Sequence, residues 1–241
     1  MAVDKLVDSV QLDADLTSVA DAIRAKTGGA ADLQFPADFV SEIQAIPSGG
    51  GGTHNLPSGY TEYEYIEATG TQYINTGYIP VATTEVHATI ERTAVQNFYA
   101  SDWGVTPTPK ALTAGGYWSW GSATDKSSQA YSPDIPFGPL TVRVNRNGVY
   151  DLFGNLAVNF GTVTWTSGQL PIFLFARNNN GNVDRKSKLK IYYWAAYENG
   201  SKIVEFIPAM RNSDNVLGFY ETVNGVFFTN AGDGAFTGGA F

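Results

Sequence analysis

Three of the Asn-Gly pairs in the C-terminal half of the chain, Asn147-Gly148, Asn199-Gly200 and Asn224-Gly225, carry the same signal. Each stands between two segments rich in β-branched and aromatic residues: LTVRVNR and VYDLF, IYYWAAYE and SKIVEFI, GFYETV and VFFT. Both residue types tolerate φ > 0, which the two central positions of a type I′ turn require, so each pair predicts a tight hairpin. A chain with three such hairpins is committed to antiparallel β structure over that half.

The pattern extends upstream to Tyr60. In the stretch from Tyr60 to Ile79, Tyr63 and Tyr65 alternate with Glu62 and Glu64. After Gly70, residues Tyr73, Asn75 and Gly77 alternate with Ile74, Thr76 and Tyr78, which reads as an opening pair of strands. Val86, Ala88 and Ile90 alternate with His87, Thr89 and Glu91, and Asn97 to Ser101 is a further strand candidate. Pro171 to Ala176, PIFLFA, is an unbroken apolar run, as expected of a central strand buried on both faces. A dozen or so short antiparallel strands in about 180 residues make a mainly β, two-sheet jelly-roll sandwich. With 26 glycines, 13% aromatic and 16% charged residues, the composition fits such a fold better than a helical enzyme.

Residues 1–47 have a different pattern. Leu16, Val19, Ala20 and Ile23 fall at helical spacing, with Asp15 placed as N-cap and Gly28-Gly29 as stop. A second helix is expected after Phe35-Pro36, its apolar stripe made by Phe39, Val40, Ile43 and Ile46 and ended by Pro47. Two short helices cannot enclose a core alone. Leu16, Val19, Ile23, Phe39, Val40 and Ile43 therefore form either an attachment or oligomerisation stripe or a face packed on the rest of the chain. Residues 48–58, beginning with the glycine run from Ser48, read as a flexible linker, and residues 59–241 as the β domain.

No cysteine is present, which excludes disulfides, thiolate metal sites and cysteine nucleophiles. A formal charge of -8 opposes attachment to nucleic acid or to an anionic bilayer. The N-terminus has neither the basic start nor the apolar core of a secretory signal, and no run approaches a membrane span. His54 lies in the linker and His87 in a strand, so no His pair or triad is expected.

The irregular region from Asp102 to Pro136 holds most of the tryptophans. Trp103, Tyr117, Trp118 and Trp120 could stack on sugar rings while Asn97, Asp102 and Asp125 bond hydroxyls, which makes them the candidate ligand site. Trp118 and Trp120, two apart, share one face of an extended segment, and the competing reading places them in the core. The Asn178–Asp184 loop, NNNGNVD, offers oxygens to calcium or is a simple turn; no other cofactor is implied. Glu62, Glu64 and Glu67 are read as a solvated strand face, with a glycoside hydrolase as the third-ranked alternative. Arg185, Lys186, Lys188 and Lys190 suit a protected strand edge.

Two blocks, LPSGYTEYEYIEATGTQYINTGY and FIPAMRNSDNVLGFYETVNGVFFTNAGDGAF, bracket the domain from Leu56 to Phe236. Together they resemble the concanavalin A-like, LamG-type jelly-roll domains of tail and baseplate proteins from phages and prophages of Gram-positive bacteria. LTSVADAIRAKTGGAADLQFPADFVSEIQAI is similar to a helical module of prophage tail proteins. The resemblance implies a binding module on a virion tail, made in the bacterial cytoplasm without a signal peptide and released on lysis. Expected partners are a bacterial surface polysaccharide, other tail or baseplate proteins and, by analogy with trimeric tail fibres, further copies of the chain. The expected role is a receptor-binding adhesin without catalysis; the alternative is a structural tail protein with no ligand.

Overall fold

The chain divides into two compact units, Met1–Gly52 and Thr53–Phe241. The computed structural model describes residues 9–27, 32–35, 38–39, 54–93, 103–106, 110–114, 117–121, 138–162 and 170–241. His54 already belongs to the second unit. Its backbone N–H and its Nδ1 meet the two Glu62 carboxylate oxygens at 2.7 and 2.9 Å, so the stretch expected to be linker is anchored from His54 onward.

In the first unit, helix α1 spans Ser9–Thr27. It begins six residues before Asp15, which therefore lies inside the helix and is not its N-cap; Leu12 continues the apolar period backwards past that residue. It ends before Gly28-Gly29, as glycines dictate. Of the second expected helix only Asp38 and Phe39 are described, and Val40 and Ile43 lie outside the described residues. Ala20, Ile23 and Phe39 form a small apolar cluster flanked by Leu16 and Leu33. Val19, expected in the same stripe, is 46% exposed.

The second unit is mainly β. It opens with β1 (Tyr60–Glu62), β2 (Tyr65–Thr69), β3 (Ile74–Asn75) and β4 (Thr84–Arg92), followed by β5 (Trp103–Thr106), β6 (Lys110–Ala114) and β7 (Tyr117–Gly121). The middle adds β8 (Leu140–Asn145), β9 (Gly148–Tyr150), β10 (Leu156–Asn159), β11 (Phe173–Leu174), β12 (Arg177–Asn179) and β13 (Asn182–Asp184). Two long strands, β14 (Lys188–Glu198) and β15 (Ser201–Arg211), lead to β16 (Val216–Glu221), β17 (Val226–Thr229) and β18 (Thr237–Gly239).

Among the described residues, one antiparallel sheet of eleven strands runs in the order β10-β9-β8-β4-β14-β15-β16-β17. Strand β2, with β18 beyond it, lies against the first part of β14, and β1 lies against the far end of β15. A second sheet has the order β13-β12-β5-β11-β3, and β6 pairs with β7. One core joins the three: Ile66, Ile90, Trp194 and Phe206 of the large sheet cluster with Ile74 and Leu174 of the second and with Trp118 and Trp120 of β7. Layers joined by a shared apolar core are consistent with a β sandwich. The stretch from Tyr60 to Ile79 is not a hairpin, because β2 enters the large sheet and β3 the smaller one.

These three Asn-Gly pairs have three different roles. Asn199 (φ 50°) and Gly200 (φ 82°) form the expected two-residue turn, with Glu198 opposite Ser201. At the first pair the turn residues are Arg146 and Asn147, since Asn145 already pairs with Gly148. Glycine is needed at 148 because a Cβ would lie 2.0 Å from the Val158 carbonyl oxygen of β10. At the third pair Glu221 is opposite Val226, which leaves a four-residue loop. The second type I′ turn is at Asn180 (φ 52°) and Gly181 (φ 87°), inside the loop offered to calcium. There burial pushes the Asp184 carboxyl up, but the Arg177 guanidinium outweighs it and holds it below the usual carboxylate range.

The PIFLFA segment is buried throughout from Ile172 to Ala176, and β11 lies between β5 and β3. Its strand is only two residues long because Phe175, at φ 62°, turns the chain away while its ring packs near Phe219 and Phe236. The basic run does not protect an edge. Lys188 and Lys190 are on β14, flanked by β2 and β4, and Lys190 pairs with Glu91 at 3.3 Å.

Candidate functional site

The large sheet turns Val86, Ala88 and Ile90 of β4 into the core, which sends Glu85, His87, Thr89 and Glu91 to its outer face. On β14 the alternation breaks. Ile191 and Trp194 both enter the core, and the register against β4 shifts between Ile191 and Tyr193, so this bulge puts Tyr192 and Tyr193 together on the outer face. The sequence signal was the doublet in KIYYWAAYE, which no strict period of two can accommodate.

Three carboxylates hold the resulting aromatic surface in place. Glu85 takes His87 Nε2 at 2.7 Å and the Asn145 amide at 2.7 Å, with Arg143 at 3.7 Å. Burial raises the Glu85 carboxyl, but these partners outweigh it and keep it below the ordinary range. The His87 ring lies over Tyr197 with centroids 4.4 Å apart, and Arg143 stands 4.6 Å over Tyr150. Glu91 accepts from Tyr192 and Lys190; Lys190 stands 4.4 Å over Tyr65, whose ring is 5.3 Å from that of Tyr192. Buried Glu205 accepts from Lys202, from the Tyr193 hydroxyl at 2.9 Å and from Thr222 Oγ1 at 2.5 Å. Burial, then Tyr197 and Glu205, push the Tyr193 hydroxyl up, so it stays protonated and donates.

The result is two groups of half-exposed rings on this face, Tyr150, His87 and Tyr197 towards one end of β14 and Tyr192 and Tyr65 towards the other. Rings already fixed by ion pairs and hydrogen bonds lose little freedom when a ligand stacks on them. Their faces suit the C–H faces of sugars, and the carboxylate, amide and lysine groups between them suit hydroxyls.

Glu205 also sets a pH dependence. Burial pushes its carboxyl up, but Lys202, Thr222 and Tyr193 together hold it below the ordinary value. A depressed folded-state pKa contributes stability above the unfolded value, about 4.3, and loses it as pH falls through the folded value. Glu205→Gln is therefore expected to narrow the difference between urea midpoints at neutral pH and at a pH below the ordinary carboxylate range.

A second concavity, of about 540 Å³, opens where the loop after β3 meets the β14–β15 and β16–β17 hairpins. Several of its polar groups already have hydrogen-bond partners. The Tyr78 hydroxyl pairs with Thr84 at 2.6 Å and donates to Glu198 at 2.9 Å. Glu221, 2% exposed, accepts from the backbone N–H groups of Glu205, Val223 and Asn224 and from the Asn224 amide. Ile79, Ile203, Val226 and Phe228 supply apolar wall.

Most of the tryptophan site expected from sequence is not brought together here. Trp118 and Trp120 do share one face, but it is the inner one: both have no accessible surface and belong to the core. A ring without exposed area offers nothing to a sugar, so core packing accounts for both. The backbone of Trp103 pairs with Leu174 and that of Tyr117 with Ala114. Asn97, Asp102 and Asp125 lie outside the described residues. Glu62 is taken up by His54, whose ring stacks 6.5 Å from that of Tyr193. Among the described residues no group of three His, Cys, Asp or Glu side chains could hold a metal.

Comparison with protein-family models, with curated proteins and with solved structures gives no match for this chain. The functional reading rests on its own sequence and geometry.

Proposed function

We propose that this chain is a tail-associated adhesin of a phage or prophage. In this reading its β unit is a concanavalin A-like jelly roll that binds a bacterial surface glycan across the outer face of the large sheet. The observation that carries it is the two groups of half-exposed rings on one sheet face, His87 with Tyr197 and Tyr65 with Tyr192, beside Glu85, Glu91 and Glu205. An open sheet face accommodates an extended polysaccharide, and the fixed aromatic geometry makes stacking efficient without any catalytic group. In the same reading the first unit, where Ala20, Ile23 and Phe39 cluster, attaches to tail proteins or to further copies of itself.

The test is binding of the labelled full-length chain to a panel of Gram-positive bacteria, before and after removal of their wall polysaccharides. Binding should vanish with the glycan. Tyr197→Ala should weaken it about tenfold, equivalent to about 1.4 kcal/mol, without moving the melting temperature by more than a few degrees. Binding that survives both treatments would overturn the reading. A structural tail protein without a ligand is the second reading, favoured by large apolar side chains exposed on the β9–β10 turn.

A further inference from the structure

The turn joining β9 to β10 holds two large apolar side chains in water: Leu152 is 70% and Phe153 86% exposed. Asp151 makes the turn rigid. Its Oδ1 accepts the backbone N–H groups of Phe153 at 2.9 Å and Asn155 at 2.8 Å, and its Oδ2 accepts the Asn155 amide at 3.0 Å. The backbone closes the loop from Asp151 N to Asn155 O at 3.0 Å. A braced loop that displays adjacent apolar side chains has the form of a docking knob.

The same chain carries a matching hole. In the concavity beside β15 and β17 Tyr78 is bonded to Glu198 and Asn224 to Glu221, and Val226 on its wall is 45% exposed. It therefore offers apolar surface where a sugar would need hydroxyl partners. A cavity of about 150 Å³ holds one benzene ring, so 540 Å³ accommodates a phenylalanine ring with a leucine beside it. Knob and hole are on opposite sides of the large sheet: β10 is one edge, and β15 is five strands away, about 24 Å at the usual spacing. Leu152 and Phe153 therefore do not reach the hole of their own chain.

We infer that Leu152 and Phe153 of one copy insert into the concavity formed by Tyr78, Ile79, Ile203, Val226 and Phe228 of a second copy. The two surfaces differ, so the contact is head-to-tail: it closes into a small ring if the rotation allows and otherwise extends as a filament. This assembly is independent of the glycan reading, since it uses neither Tyr192 nor Tyr197.

The absence of native cysteine makes the test direct. Full-length Phe153→Cys and Val226→Cys chains, both altered at exposed positions that leave the core intact, are mixed and oxidised with diamide. A disulfide-linked dimer should form in the mixture and stay at background in either chain alone, background being set by Phe153→Cys mixed with a Ser213→Cys chain. A mixture no better than that background would overturn the inference, and so would an equally strong band from Phe153→Cys alone, which would mean a tip-to-tip pair.

Discussion

Phe206→Ala is expected to destabilise the β unit by about 3–5 kcal/mol, a large part of the 5–15 kcal/mol typical of a whole domain. Phe206 is fully buried on β15, between β14 and β16. Its ring lies 5.7 Å from that of Trp194, 6.4 Å from Phe219 and 5.1 Å from Phe228. Two are edge contacts and all three neighbours are held by sheet hydrogen bonds, so the walls of the cavity left by alanine cannot close on it. Urea unfolding checks this: the midpoint should fall steeply while the slope is unchanged. A cost below about 1.5 kcal/mol, the range of volume-conserving swaps, would mean that the rings repack.

The β character of the chain was legible because it follows from local rules. Val86, Ala88 and Ile90 enter the core as their alternation with polar residues implies, and Asn199-Gly200 forms its turn because both φ values are positive. Gly148 shows where such rules end. Nothing beside it in the sequence signals that the Val158 carbonyl passes 2.0 Å from where a side chain would begin, since that constraint comes from the next strand. Glu221 likewise accepts the N–H groups of Val223 and Asn224, which fits a longer loop at a site where Asn-Gly alone suggested two residues.

The aromatic face was hidden for the same reason. Glu91 reaches Tyr192 across a hundred intervening residues, and Glu85 reaches Asn145 only because β4 and β8 are neighbours. Period-two spacing in YWSW correctly put Trp118 and Trp120 on one face, but spacing carries no sign that separates inside from outside. The glycine and serine around them suggested a loop, whereas long-range packing puts both rings in the core. The Tyr192-Tyr193 doublet was the available clue to the outer face, because a strand that buries both Ile191 and Trp194 must bulge between them.

Gly218→Ala is expected to cost about 3 kcal/mol, the upper end for overpacking, because the obstacle is main chain and not a movable side chain. A Cβ on Gly218 would lie 2.1 Å from the Phe228 carbonyl oxygen and 3.2 Å from the Phe227 ring. Strand β16 is held on its other side by six pairings with β15, so the displacement falls on β17, the edge of the sheet. Hydrogen exchange should then show the amides of β17 losing protection while those of β14 keep theirs. The two proposed surfaces should respond differently. Val226 and Phe228 move with β17, so crosslinking between Phe153→Cys and Val226→Cys chains should fall to background when Gly218→Ala is added to the Val226→Cys chain. The rings on β4 and β14 do not depend on that edge, so glycan binding should persist. Wild-type stability in Gly218→Ala would mean that β17 can shift without cost, and the fixed wall required by the head-to-tail contact would not exist.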